Sequence, residues 1–116
     1  MSQSAQEVQA KVAVASRSML DSRKVELHFP SASESTRTVT ASFNPPAGTQ
    51  VATIALQGFD LKYTNHNHYD FGQLQVSLST SNTEAACTVT LRDDNVNKRE
   101  WQGTVTGLVT FFGKAS

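Results

Sequence analysis

From residue 24 onward, apolar and polar side chains alternate in short runs separated by turn-forming residues, the two-residue period of strands with one buried face. Residues 24–29 put Val25, Leu27 and Phe29 on one side and Glu26 and His28 on the other. Residues 36–43 keep Val39, Ala41 and Phe43 in phase and stop at Asn44-Pro45-Pro46-Ala47-Gly48, where two prolines remove ladder donors. Residues 50–57 differ: Val51, Ile54, Ala55 and Leu56 are apolar on both faces, which predicts a central strand covered on two sides. Residues 58–72 read as a long polar connection. Alternation resumes through Leu74, Val76 and Leu78 in 73–80 and through Cys87, Val89 and Leu91 in 85–92. After a charged, amide-rich stretch over 92–100, the last strand, 101–112, carries Trp101, Gly103, Val105, Gly107, Val109 and Phe111 on one face. Glycines 103 and 107 on that face predict a bulge, a bend or the close approach of another chain segment. Strands joined by turns, with no helix between them, predict a mainly β domain, a six-stranded antiparallel β-sandwich.

The N-terminal residues follow another period. Between Ser2 and Leu20 there is no proline or glycine, and Ala5, Val8, Val12, Ala15 and Met19 are spaced three, four, three and four apart. This heptad seam predicts a short N-terminal α-helix, and with it a division into an oligomerisation helix over 1–21 and a sandwich over 22–116. A seam this short does not persist in water on its own. It either meets like helices at the axis of an oligomer, packs on its own sandwich, or frays.

Length and composition narrow the class. The chain of 116 residues suits one core. Its 38% apolar content is low, and the shortfall is made up by Ser, Thr, Asn and Gln rather than by charge, which indicates a folded β protein with polar faces. Ten basic residues balance ten acidic ones, so no net field draws the chain to nucleic acid or to anionic lipid. No apolar run reaches the roughly 20 residues of a membrane span, and the first residues lack a charged start followed by an apolar core, so neither membrane insertion nor an export leader is expected. The single cysteine, Cys87, excludes an intramolecular disulfide and a cysteine-cluster metal site, and its apolar neighbours predict a small buried side chain.

Three clusters bear on chemistry. Asn65-His66-Asn67-His68-Tyr69-Asp70 offers two imidazoles and a carboxylate that suit a transition metal if the loop folds over, or else form a polar loop; with no further ligand identified, no metal or other cofactor is assigned. Arg92-Asp93-Asp94-Asn95-Val96-Asn97 presents oxygen ligands for a hard cation, paired donors and acceptors for sugar hydroxyls, or an ordinary hairpin turn; it lacks the glycine at position six of a calcium loop. Trp101, where this segment rejoins a strand, is either a flat face for a pyranose or part of the core. The nucleophile, zinc-helix and phosphate-loop motifs of common enzymes are absent, so an enzyme is not expected.

The order of elements between Thr38 and Phe111 resembles a known family. The strand Val39-Thr-Ala-Ser-Phe43, then Pro45-Pro46, Val51-Ala-Thr-Ile-Ala-Leu-Gln57, Gly58-Phe59-Asp60, Leu74-Gln-Val76 and Val105-Thr-Gly-Leu-Val109 are similar to the H-type lectin domain of snail agglutinins and discoidins. The resemblance implies a six-stranded sandwich that forms trimers and binds N-acetylgalactosamine or related sugars at clefts between protomers. Where that family has an arginine this chain has Gln75, and the family's Trp-His pair falls near Arg92 and Asp93, so recognition here would use different groups. The expectation is a carbohydrate-binding, lectin-like homotrimer with Gln75, Arg92, Asp93, Asn95 and Trp101 as ligand-binding residues, and His66, His68 and Tyr69 closing the site. That reading places the chain outside the cell or at a cell or virion surface. The rival is a structural or receptor-binding module of a larger assembly such as a phage tail fibre or virion.

Overall fold

The computed structural model describes residues 18–64, 71–93 and 99–114. They form six antiparallel strands in two three-stranded sheets, the mainly β architecture expected. The long sheet has the order β1-β6-β3, with β1 Ser18–Ala32, β6 Trp101–Lys114 and β3 Thr49–Tyr63. The short sheet has the order β2-β5-β4, with β2 Thr36–Ser42, β5 Glu84–Asp93 and β4 Phe71–Thr80. The core between them is built from the alternating positions: Leu27 and Phe29 of β1, Cys87, Val89 and Leu91 of β5, and Trp101 and Val105 of β6, with Val39, Leu61, Leu74, Val76 and Leu78 packed around them. Each fully buried large side chain contributes about 1.5–3 kcal/mol relative to exposure.

Several boundaries move. β1 begins at Ser18, so Ser18–Leu20 are strand rather than the end of a helix, and β1 crosses the expected boundary at 21/22. The physical reason is pairing: Ser18 lies opposite Lys114 and Leu20 opposite Phe112, and this ladder continues along β6 to Gly103. The rest of the expected helix, residues 2–17, lies outside the described residues. β3 is not central. It is an edge strand, and Val51 and Leu56, which suggested cover on two sides, are exposed. It also extends to Tyr63, so residues 58–63 belong to the sheet and not to a connection, because they pair with β6 from Thr106 to Trp101.

The glycines of β6 do mark irregular pairing. The register of β1 shifts between Phe29 and Ala32, next to Gly103, and that of β3 shifts between Leu56 and Gly58, where Leu56 faces Gly107. Gln57 is the extra residue of this second bulge, which sets Gly58 opposite Thr106.

Both ends of the sandwich are closed by an arginine against aromatic rings. At one end the Arg37 guanidinium lies 3.8 Å from the centre of the Trp101 ring, and Phe29 tilts against the same indole at 5.5 Å. At the other, Arg23 stands 5.2 Å over Phe111, which meets Phe43 edge-on at 5.4 Å. Arg23 is held there by donating to the Asn44 carbonyl at 2.6 Å.

Cys87 is fully buried, and burial pushes its thiol up to about 11. The folded chain therefore holds this proton more tightly than the unfolded chain, so the stabilisation is complete below pH 9.0 and is lost as pH rises through about 11. The expected result is a thiol that ignores a disulfide reagent at pH 8 in the native state and reacts stoichiometrically in denaturant. A urea midpoint that falls between pH 9 and 11 checks the linkage, and the Cys87→Ser variant lacks that particular fall.

Candidate functional site

The outward face of the long sheet carries a shallow groove that runs across all three strands. β1 supplies Lys24, Glu26 and His28, the outward partners of its buried positions. β6 supplies Thr104 and Thr106, which stand opposite His28 and Glu26 in register. β3 supplies Gly58 and Asp60, opposite Thr106 and Thr104, with Gln57 and Phe59 alongside. The groove continues past His28 and Asp60 to Lys62 and Gln102. Strand pairing brings together three segments that are far apart in sequence.

The bulge at Gln57 shapes this groove. A Cβ placed on Gly58 would meet nothing within 4 Å, so the absent side chain leaves open space in the groove. Phe59, 48% exposed, borders this space on the edge strand, but it stands opposite the core residue Val105, so its side chain turns to the inward face. Gly103 serves the site differently, by close approach. A Cβ there would lie 2.2 Å from the Asp60 carbonyl oxygen and 2.8 Å from the Leu61 Cα, so only glycine lets β3 lie this near β6 and holds Asp60 in place.

The groove is polar and balanced in charge. Two lysines, Lys24 and Lys62, offset two carboxylates, Glu26 and Asp60. His28 is oriented across the strands, its Nδ1 3.1 Å from the Thr104 hydroxyl and its Nε2 3.7 Å from a Glu26 carboxylate oxygen. Threonine hydroxyls and glutamine amides both donate and accept, whereas the carboxylates only accept and the lysines only donate. Such a set matches a neutral ligand rich in hydroxyls better than a phosphate or a cation.

The residues expected from sequence are placed elsewhere. Gln75 and Arg92 are both exposed on the outward face of the short sheet. Gln75 stands opposite Thr90 and Arg92 opposite Gln73, which makes Gln75 and Arg92 diagonal neighbours; Gln73 Nε2 donates to Gln75 Oε1 at 3.5 Å. Asp93 ends β5, paired with Phe71. Trp101 does not join them. Its ring is fully buried between the sheets, and its Nε1 donates to the Glu34 carbonyl at 2.8 Å, so neither an open face nor a free donor is left for a sugar. Arg37 completes this cover by donating to the carbonyls of Pro30 and, at 2.8 Å, Trp101. Burial draws the Arg37 guanidinium below its ordinary value, and Glu34 opposes the shift. His66, His68, Tyr69 and Asn95 lie outside the described residues. Among the described residues no three His, Cys, Asp or Glu side chains come together in a way that could hold a metal ion.

Sequence reasoning missed the groove because its residues are the ordinary outward positions of three strands. The one local signal was Gly58, which interrupts an apolar strand just where the bulge falls. No protein-family model, curated protein or solved structure matches this chain.

Proposed function

We propose that this chain is a carbohydrate-binding, lectin-like protein that takes a neutral glycan in the groove on the long sheet. The observation that supports this reading most is the open floor at Gly58 between charge-balanced walls lined by threonine hydroxyls. Sugar hydroxyls pair with Thr104, Thr106, Gln57 and Asp60. A shallow, solvent-open site binds weakly, so useful capture comes from several sites in a homo-oligomer, for which a trimer is proposed. On this reading Gln75 and Arg92 form a second polar patch on the opposite sheet and not part of the same pocket.

The test is a glycan array probed with the full chain and with Gly58→Trp. A Cβ here meets nothing within 4 Å and the side chain stands over a solvent-open groove, so the variant is expected to keep wild-type stability to within about 1 kcal/mol, while its glycan binding falls at least about tenfold because the floor is filled. Equal binding by both proteins moves the site away from the groove. An array that stays silent with the folded chain favours a structural module of a larger assembly instead.

A further inference from the structure

The groove on the long sheet is two hollows in line. One lies over Thr106 and Gly58, with Glu26 on its β1 side, and the other lies over Gln102, with Lys62 on its β3 side. Both are lined by His28, Thr104 and Asp60, which stand in one row across the sheet, so the hollows meet at this row. Gln102, Thr104 and Thr106 are successive outward positions of β6, and the four steps between the first and the last span about 14 Å. The long axis of the groove therefore follows β6, with side chains of β1 and β3 along its two sides. Past Lys24 the face runs on through Ser22, Thr110 and Thr53, short side chains that raise no end wall.

We infer that the groove takes at least two linked rings of a linear neutral glycan, laid along β6 and crossing the row of His28, Thr104 and Asp60. This rests on the glycan reading above and adds the length of the ligand and its axis. A single ring over Gly58 leaves the second hollow to water and gains nothing from Gln102 or Lys62. A linked pair uses both hollows, and its bridge passes over the row that they share. That row holds a set position: His28 Nδ1 lies 3.1 Å from the Thr104 hydroxyl, and its Nε2 lies 3.7 Å from a Glu26 carboxylate oxygen. The Asp60 carbonyl oxygen, 2.2 Å from where a Cβ on Gly103 would stand, shows how closely β3 is drawn to β6 there. The two hollows also differ in what they offer. Over Gly58 there are a threonine hydroxyl, the Gln57 amide and open space for a ring substituent, whereas over Gln102 there are an amide and an ammonium group that only donates. A site for the last sugar of a chain needs closure round one ring, and the face beyond Lys24 provides none, which suits an internal stretch of a linear chain.

The experiment titrates the full chain by calorimetry with glucose, galactose, mannose and N-acetylglucosamine, each as the free sugar and as its 1,4-linked dimer, beside Lys62→Ala/Gln102→Ala. For a sugar that binds, the dimer is held at least about tenfold more tightly than the single ring, because the second ring fills the hollow over Gln102. In the double variant this advantage disappears while the single ring binds as before. Both substituted side chains face outward, so circular dichroism stays native. Equal affinity for single ring and dimer, or a dimer advantage that survives the double variant, overturns the inference and leaves the glycan reading standing. Absence of binding by all of these sugars also overturns it, and if the glycan array is silent as well, the glycan reading falls with it.

Discussion

Trp101→Ala destabilises the domain by about 3–5 kcal/mol, a large share of the roughly 5–15 kcal/mol that keeps a domain of this size folded. The ring is wholly enclosed, and its removal leaves a cavity against Phe29. It also strips the Arg37 guanidinium of the face it stacks on at 3.8 Å, while Arg37 Nε already has no hydrogen-bond partner among the described residues. The Glu34 carbonyl loses its 2.8 Å donor at the same time. A half-buried cation without its ring and a carbonyl without its donor add to the cavity cost. Urea denaturation followed by circular dichroism gives the value. For a domain of this size the thermal midpoint drops by roughly 15–30 °C. Trp101→Phe keeps most of the volume and costs clearly less. Stability unchanged in Trp101→Ala would show that the ring is dispensable to the core and would reopen its use as a sugar platform.

The second large effect is at Gly103. A methyl group there meets backbone atoms, the Asp60 oxygen at 2.2 Å and the Leu61 Cα at 2.8 Å, and neither can rotate away. Gly103→Ala is therefore expected at or above the upper end of overpacking costs, about 3 kcal/mol. Gly107→Ala is the control. Its Cβ meets the Ile54 Cδ1 at 2.9 Å, the end of a side chain on an edge strand, so the cost stays within about 1 kcal/mol. Thermal melts of the two variants side by side decide the point, and equal losses would show that close backbone approach at Gly103 is not what the fold requires. Because that Cβ would press on the Asp60 carbonyl, the glycan-binding reading proposed above expects whatever fraction of Gly103→Ala remains folded to bind glycan more weakly as well.

Much of the fold can be read from particular residues. Val25, Leu27 and Phe29, or Cys87, Val89 and Leu91, alternate because one face of each strand is buried, and every one of them faces the core. Strand ends were less legible. Ser18 to Arg23 and Gly58 to Tyr63 are strand because β6 is long enough to pair with them, and nothing local in those residues announces it. β3 was misread for a related reason: Val51 and Leu56 are apolar on both faces, but apolarity does not say whether a neighbouring sheet or a second molecule supplies the cover. Trp101 next to a polar segment fitted both a sugar platform and a core residue. Only the approach of Arg37 and Glu34 from β2 and the turn before it separates the two.

By itself the sequence determined the composition of the strands, their buried faces, the buried thiol and the absence of any charge bias, because each follows from the period and chemistry of neighbouring residues. Tertiary structure alone decided the sheet order, the aromatic clasps and the groove. His28, Asp60 and Thr104 are separated by 32 and 44 positions along the chain, and they meet only because antiparallel registers on the two sides of β6 place them in one row. Register is a property of the paired strands and not of any one of them, so no local pattern carries it.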